Sequence, residues 1–137
     1  MSAPIDESLL EELVAAARRA RASAYAPYSD YRVGAALATD DGRVFSGCNV
    51  ENASYGATVC AERNAMGAMV VAGASKPVAC AIVTGGSKPG TPCGICRQVL
   101  AEFAKDMHIV LVAETPNGDV RRDTTLSELL PDVFELE

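Results

Sequence analysis

Three cysteines and one glutamate in this sequence have the residue types and the spacing of an open zinc site. Cys60 stands two residues before Glu62, and Cys93 and Cys96 follow in a Pro-Cys-Gly-Ile-Cys segment. Cysteine thiolates favour zinc among the divalent metals. Three protein ligands leave the fourth tetrahedral position to water, which distinguishes a catalytic zinc site from a closed structural one. Glu62 is close enough in sequence to lie beside that water without binding the metal.

The order of these residues, a cysteine and a nearby glutamate followed by Pro-Cys-x-x-Cys, is that of zinc-dependent nucleobase deaminases. On this motif the chain resembles the cytidine deaminase family, in its short, homotetrameric, three-cysteine form. The resemblance also rests on residues 28–29, 33–37, 47–52, 96–100 and 129–131, and so covers nearly the whole chain. It implies one Zn²⁺ per subunit. It also implies hydrolytic deamination of cytidine and 2′-deoxycytidine to uridine and 2′-deoxyuridine, with release of ammonia, as a step of pyrimidine salvage.

Glu62 is the candidate catalytic residue. Zinc lowers the pKa of bound water from about 9 in the aqua ion towards 7, and the activated water attacks C4 of the pyrimidine. Glu62 would take a proton from this water, pass it to ring N3 and later protonate the departing amine. One carboxylate suffices because the base and acid steps alternate. A glutamate in isolation is more often a surface residue of a helix, which is the alternative here.

We expect both halves of the motif to open a helix. Pro92 favours the first turn of a helix, so Cys93 and Cys96 would project from that turn, and Cys60 would lie early in the preceding helix. Helix N-termini stabilise thiolates, which are the metal-binding form of cysteine.

Three thiolates outweigh the charge of Zn²⁺, so a cation near the sulfurs would strengthen the pull of the metal on water. Arg63, directly after Glu62, is the first candidate, and the resemblance implies that it hydrogen-bonds the ligand sulfurs. Arg97, beside Cys96, is the second candidate. For Arg97 an ordinary place on a helix surface is the alternative.

Asn49 and Glu51 are candidates for binding a sugar. Two residues apart, they lie on one side of the chain if the segment is extended, and an amide with a carboxylate suits sugar hydroxyls. The resemblance implies contact with the ribose 3′-hydroxyl, and therefore a nucleoside rather than a free base. Ala61 would offer its backbone to the edge of the base.

Three aromatic residues are further candidates for the substrate site. Tyr31 stands where the family usually has Phe; we expect its ring to pack on the base, and its hydroxyl needs a partner if it is buried. Phe134 matches a C-terminal aromatic residue that reaches a neighbouring subunit's site. Tyr55 is similar to a residue that also crosses between subunits. Ordinary core or surface packing is the alternative for Phe134 and Tyr55.

The hydrophobic pattern predicts an α/β protein. Asp6 or Ser8 caps a first helix that ends near Ser23. The other predicted elements are strands over residues 32–39 and 43–50, a helix over 58–72, a strand over 78–84, a helix from 92, strands over 108–113 and 119–122, and a short helix ending at 131. A strand, a helix and another strand suggest a parallel crossover. We therefore expect a cytidine deaminase-like fold, with a mixed sheet of about five strands sandwiched by helices.

The predicted helix over residues 58–72 has almost no polar face. A helix that is apolar all round is normally buried, and one small domain can hardly cover it alone. The sequence therefore indicates a homo-oligomer, and the resemblance implies a homotetramer with its sites at subunit interfaces.

The length and the composition of the chain are those of one globular domain over residues 1–137. Hydrophobic residues make up 49% and charged residues 22% of the chain, which is not the composition of a disordered protein. The net charge of −6 argues against a nucleic-acid partner. No apolar run approaches the length of a membrane span, and no leader opens the chain. We expect a cytoplasmic enzyme whose partner is a small nucleoside, and five cysteines fit a reducing compartment.

Three other functions fit part of the sequence. Blasticidin S deaminases also carry a Pro-Cys-Gly-x-Cys-Arg-Gln motif, although the segment from Asn49 to Asn52 and Tyr55 favour cytidine. A non-catalytic structural zinc module would use Cys48 as a fourth ligand. A dithiol redox protein would use Cys93 and Cys96 and would not need Cys60.

Overall fold

The computed structural model describes residues 5–136, beginning with a long amphipathic helix. Helix α1 spans Glu7–Arg21. It begins where predicted because the carboxylate of Asp6 accepts a hydrogen bond from the backbone N–H of Leu9 at 2.9 Å. Three arginines occupy its last turn, where they complement the helix dipole. None of the helices between residues 5 and 136 is long and apolar enough to cross a membrane.

Five strands form one mixed sheet. They are β1 (Gly34–Thr39), β2 (Val44–Cys48), β3 (Pro77–Gly85), β4 (His108–Thr115) and β5 (Gly118–Thr125). Their order across the sheet is β2-β1-β3-β4-β5. Strands β3 and β4 pair in parallel, and the other neighbours pair antiparallel. The predicted fold class and the parallel crossover are therefore confirmed. Strand β5 is longer than predicted because it pairs along the whole of β4.

Helices cover both faces of the sheet. The helices after α1 are α2 (Ala61–Val71), α3 (Gly94–Phe103) and the short α4 (Leu126–Leu129). Helix α1 packs on one face, where its leucines and alanines contact the alanines and valines that point to that side. Helices α2 and α3 pack on the other face, against Cys80, Ile82 and Leu111 among others. Alternation along each strand thus divides the core into two layers.

Gly47 lets α2 lie close to the sheet. A Cβ atom on this residue of β2 would fall 2.5 Å from the backbone nitrogen of Ala65 and 2.8 Å from the carbonyl oxygen of Ala61. Because contacts this short do not occur, only glycine allows the first turns of α2 to rest on β2. This contact fixes the end of the helix that carries Cys60 and Glu62.

Helix α2 is buried on one side only. Ala61, Glu62, Ala65, Met66 and Met69 are buried. On the other side Val70 is 50% and Val71 is 89% exposed. In the single chain, α3 and the sheet cover only the side of α2 that faces them, as expected if one small domain cannot cover this helix alone.

Candidate active site

The three predicted zinc ligands converge at the starts of two helices. Cys60 is the N-cap of α2 and Cys93 is the N-cap of α3, both with extended backbone, and Cys96 lies in the first turn of α3. Pro92 precedes the N-cap, so the prediction that it opens the helix is wrong. The helix begins one residue after Cys93, whose sulfur accepts the N–H of Cys96 at 3.4 Å. The helix therefore begins at the residue after Cys93, whose sulfur caps it, and not at Pro92.

The geometry of the sulfurs fits a zinc ion. Zn–S bonds of about 2.3 Å in tetrahedral geometry place two sulfurs about 3.8 Å apart. The Sγ atoms of Cys60 and Cys93 are 3.8 Å apart, and those of Cys60, Cys93 and Cys96 all lie within 4.8 Å of one another. Cys48 and Cys80 are not part of this cluster in the described part of the chain. The donor set therefore consists of three sulfurs, with no fourth cysteine to close the site.

The thiols of Cys60 and Cys96 differ in acidity. A hydrogen bond from Cys96 lowers the pKa of Cys60 to about 5, with further help from Arg63 and Cys93. The same hydrogen bond, followed by burial, raises the pKa of Cys96. Cys60 is thus the first of the two to become a thiolate, which is the form that binds metal.

Arg63 lies against the cluster. Its Nη2 donates to the carbonyl oxygen of Thr58 at 3.1 Å and lies 3.8 Å from the sulfur of Cys60. The Cys60 sulfur, through this hydrogen bond, raises the pKa of the Arg63 guanidinium, and Cys96 adds to the effect. Its Nε is buried without a partner among residues 5–136. The predicted neighbourhood of Arg63 and the sulfurs is therefore present in the structure.

Arg97 hydrogen-bonds backbone and a hydroxyl rather than sulfur. Its guanidinium donates to the carbonyl oxygens of Pro92 at 2.8 Å and Leu129 at 2.7 Å, and to Oγ1 of Thr91 at 3.1 Å. No ligand sulfur is among its hydrogen-bond partners in the described chain. Arg97 thus joins the segment before Cys93 to the end of α4.

Glu62 is buried beside the cysteines. It is the second residue of α2, and only 4% of it is exposed. Burial raises the pKa of its carboxyl, and the negative charge of Cys60 acts in the same direction. Its side chain is thus withdrawn from bulk water, unlike the surface helix glutamate that was the alternative.

Glu62, Cys60 and Cys93 line one cavity of about 170 Å³. Six of the residues predicted for the site line it: Tyr31, Asn49, Cys60, Ala61, Glu62 and Cys93. Sequence reasoning missed six more: Val33, Thr58, Ile82, Thr84, Gly90 and Thr91. The alternation of Cys80, Ile82 and Thr84 along β3 was a usable signal, since it places them on one face of the strand. The end of that strand leads directly to the Pro-Cys segment.

Asn49 and Glu51 both bind the loop of residues 28–33. The Asn49 amide accepts from the backbone N–H of Val33 at 2.9 Å and donates to the carbonyl oxygen of Tyr31 at 2.8 Å. The Glu51 carboxylate accepts from the N–H groups of Tyr28 and Ser29 at 3.0 and 3.1 Å, and from the Ser29 hydroxyl. The Ser29 hydroxyl also lowers the pKa of Glu51. These two candidates for sugar binding thus hold the rim of the cavity in place.

The aromatic candidates lie at different places. Tyr31 lines the cavity and is 47% exposed. Tyr55 packs edge-on against Tyr28, with ring centroids 6.4 Å apart, in the adjoining depression that also contains Glu51. Phe134 lines a separate depression along α3, where its carbonyl oxygen accepts from Gln98 at 3.1 Å. Within one chain, therefore, only Tyr31 reaches the cavity of the cysteines.

Comparisons with known proteins agree with this geometry. The family model for the cytidine and deoxycytidylate deaminase zinc-binding region matches residues 7–113. A cytidine deaminase of Halalkalibacterium halodurans is 46% identical over 125 residues, which cover 91% of this chain and 93% of that protein. One of Sporosarcina psychrophila is 43% identical over 128 residues, 93% of each chain.

Solved structures give the same result. The crystal structure of cytidine deaminase from Burkholderia pseudomallei has a TM-score of 0.83 and 49% sequence identity, and the match covers 90% of this chain and 98% of that one. Cytidine deaminase from Mycobacterium tuberculosis has a TM-score of 0.75 and 43% identity, over 93% and 98% of the two chains. The chain belongs to the cytidine and deoxycytidylate deaminase family.

Proposed function

We propose that this protein deaminates cytidine and 2′-deoxycytidine to uridine and 2′-deoxyuridine. The observation that carries the proposal is the burial of Glu62 in a cavity that is also lined by Cys60 and Cys93, two members of a three-sulfur cluster that fits zinc. The relatives that match over nine-tenths of the chain are named cytidine deaminases. The open donor set supports a catalytic rather than a structural zinc site.

The cysteines and Glu62 would have different roles in the hydrolysis. Cys60, Cys93 and Cys96 would hold one Zn²⁺, which supplies Lewis acidity and lowers the pKa of water. Water adds to C4 of the cytosine ring, and the Glu62 carboxylate takes its proton and delivers it to N3. Glu62 then takes the second proton from the new C4 hydroxyl and gives it to the exocyclic amine, so the C4–N4 bond breaks, ammonia leaves and the C4 carbonyl of the product forms. Because Glu62 is buried, bulk water does not compete for these protons.

Arg63 and Arg97 would support the metal ligands in different ways. The Arg63 guanidinium, 3.8 Å from the Cys60 sulfur, offsets the negative charge of the thiolates. Arg97 holds the carbonyl of Pro92, which fixes the position of Cys93 relative to α3. We infer a charge role for the first and a positioning role for the second.

The rim of the cavity would bind the nucleoside. The backbone of Ala61 faces the edge of the base, and the ring of Tyr31 packs on it. Asn49 retains a free N–H, and the carboxylate of Glu51 retains acceptor capacity, so both can still bind sugar hydroxyls while they hold the loop. The cavity and the depression that contains Glu51 share Thr58, which supports a base and a sugar in adjoining sites.

The activity is tested by ultraviolet absorbance with purified protein of known zinc content. We expect the absorbance change of cytidine conversion at a rate that scales with bound zinc, and slower or no conversion of blasticidin S. Turnover of blasticidin S but not cytidine would assign the protein to the other deaminase class. Full zinc content with no turnover of either compound would leave a structural zinc module.

We also propose a homotetramer with active sites at subunit interfaces. Three exposed apolar side chains support it, since Val71, Tyr55 and Phe134 are 89%, 79% and 68% exposed. Contiguous exposed apolar patches commonly mark contact surfaces, and Val70, beside Val71 on the uncovered side of α2, is exposed as well. Sedimentation equilibrium is expected to give four times the chain mass of 14.3 kDa, and Val71→Glu is expected to lower that mass. A monomer at micromolar concentration would refute the assembly.

The domain, the compartment and the metabolic role follow from the same features. We infer one domain over residues 1–137, since both core layers share one sheet; residues 1–4 and 137 lie outside the described part. We infer a cytoplasmic location, because the five cysteines are free in the described chain and a thiolate site needs a reducing compartment. We infer a role in pyrimidine salvage, since the reaction converts one nucleoside into another.

A further inference from the structure

Thr84 carries a buried hydroxyl for which the described part of the chain offers no hydrogen-bond partner. Only 2% of this residue is exposed, and its Oγ1 is buried without a partner among residues 5–136. Buried polar groups in native proteins are nearly always paired, so each exception calls for an explanation, such as a ligand. Valine has the same shape as threonine and would fill this position without an unpaired polar atom.

The hydroxyls of two other buried threonines do have hydrogen-bond partners. Thr39 is 1% exposed and donates to the carboxylate of Asp41 at 2.5 Å. Thr124 is 4% exposed and donates to the carboxylate of Glu128 at 3.1 Å. Thr84 is thus the exception among the buried threonines of the described chain, and it is also the one that lines the cavity of Glu62 and the cysteines.

The surroundings of Thr84 place it at the wall of the cavity, beside Gly90. Thr84 stands near the end of β3, on the same face as Ile82, which packs in the layer of α2 and α3. Gly90 lies beside it: a Cβ atom there would fall 3.8 Å from Oγ1 of Thr84 and would collide with the hydroxyl of Tyr31. The absence of a side chain at Gly90 therefore leaves room for the Tyr31 hydroxyl beside Thr84 at the wall of the cavity.

The position within the site indicates the base rather than the sugar. Thr84 shares its cavity with Glu62, which must reach the ring, and with Asn49, whereas Glu51, the other candidate for the sugar, lies in the adjoining depression. A threonine hydroxyl can donate one hydrogen bond and accept others, so it suits a ring carbonyl or ring nitrogen.

We propose that Thr84 is a substrate-binding residue whose hydroxyl hydrogen-bonds a polar atom of the pyrimidine ring. The inference rests on the proposed function, because the ligand is the nucleoside of that reaction. No other group of the described chain pairs with this hydroxyl, and it gains a partner when the base enters the cavity. Removal of the hydroxyl therefore weakens nucleoside binding and does not weaken the fold.

The test uses Thr84→Val in the zinc-loaded protein, with uridine as an unreactive probe measured by titration calorimetry. We expect the Kd of uridine to rise about 5- to 10-fold, the effect of one lost hydrogen bond. The rise should be equal for 2′-deoxyuridine, because the contact is with the base. Zinc content should not change, the melting temperature should not fall, and Thr84→Ser should restore binding.

The matched control is Thr39→Val, which removes a hydroxyl that is buried but paired and lies outside the cavity. It should lower the melting temperature and leave the Kd of uridine unchanged. A Thr84→Val protein whose Kd is within twofold of the wild type, or that melts lower as Thr39→Val does, would overturn the inference. A wild type that binds uridine but does not deaminate cytidine would overturn the proposed function alone, because the binding measurement does not depend on turnover.

Discussion

Replacing Glu62 by glutamine is expected to lower kcat for cytidine by about a thousandfold or more, within the range of general acid–base catalysis. The glutamine amide would keep the size and the hydrogen-bonding capacity of the side chain but could not carry a proton between water, N3 and the amine. Zinc content should remain at one ion per chain, because the glutamate is not a ligand. Absorbance assays and metal analysis on the same preparation measure both quantities.

The control for this variant is Glu11→Gln, which removes the same charge from an exposed position on α1. It should deaminate cytidine as the wild type does. A Glu62→Gln protein that retains more than a tenth of the wild-type rate would show that another group moves the protons. A variant that loses zinc would instead show that Glu62 supports the metal.

Replacing Cys96 by serine is expected to abolish both zinc retention and turnover. Cys96 is fully buried and lies with Cys60 and Cys93 in the sulfur cluster, and a hydroxyl is a far poorer zinc ligand than a thiolate. Zinc binding stabilises the fold that presents the ligands, so the melting temperature of the purified variant should fall towards that of chelator-treated wild type. Metal analysis and thermal unfolding measure the two effects.

Cys48→Ser is the matched control, since Cys48 is also a free thiol but is not in the cluster. It should keep its zinc and its activity. If Cys48→Ser released the metal while Cys96→Ser retained it, the ligand set assigned here would be wrong. Zinc retention by both variants would leave the cluster without a metal role.

The sequence was most informative where the signal is local. Continuous apolar runs, turn residues and helical periodicity predicted the five strands and the helices that cover them, because each pattern is complete within a few residues. The cysteines and Glu62 came from a short motif, and the structure brings all three sulfurs within 4.8 Å of one another. A sequence motif was therefore enough to predict the residues at the centre of the site.

The sequence was least informative where partners are distant in the chain. Arg97 donates to the carbonyl of Leu129, and the amide of Asn49 binds Tyr31 and Val33. Neither pairing leaves a pattern in one sequence. The start of α3 was predicted one residue or more too early, because Pro92 favours a first helical turn whereas the helix begins after the capping residue Cys93.

Thr84 illustrates a different limit. Threonine is common in strands, so its presence at the end of a buried apolar run predicts only a strand. Its unpaired hydroxyl becomes evident when β3, Gly90 and the cavity are seen together. The same holds for the exposed side of α2, whose apolar residues predict burial but not the surface that covers them.

The most direct test of the open zinc site is X-ray absorption at the zinc K-edge on the loaded protein. We expect three sulfurs at about 2.3 Å and one oxygen at about 2.0–2.2 Å from the metal. The Cys48→Ser variant should give the same spectrum. Four sulfurs, or a protein that does not retain zinc at all, would contradict the assignment of a catalytic site at Cys60, Cys93 and Cys96.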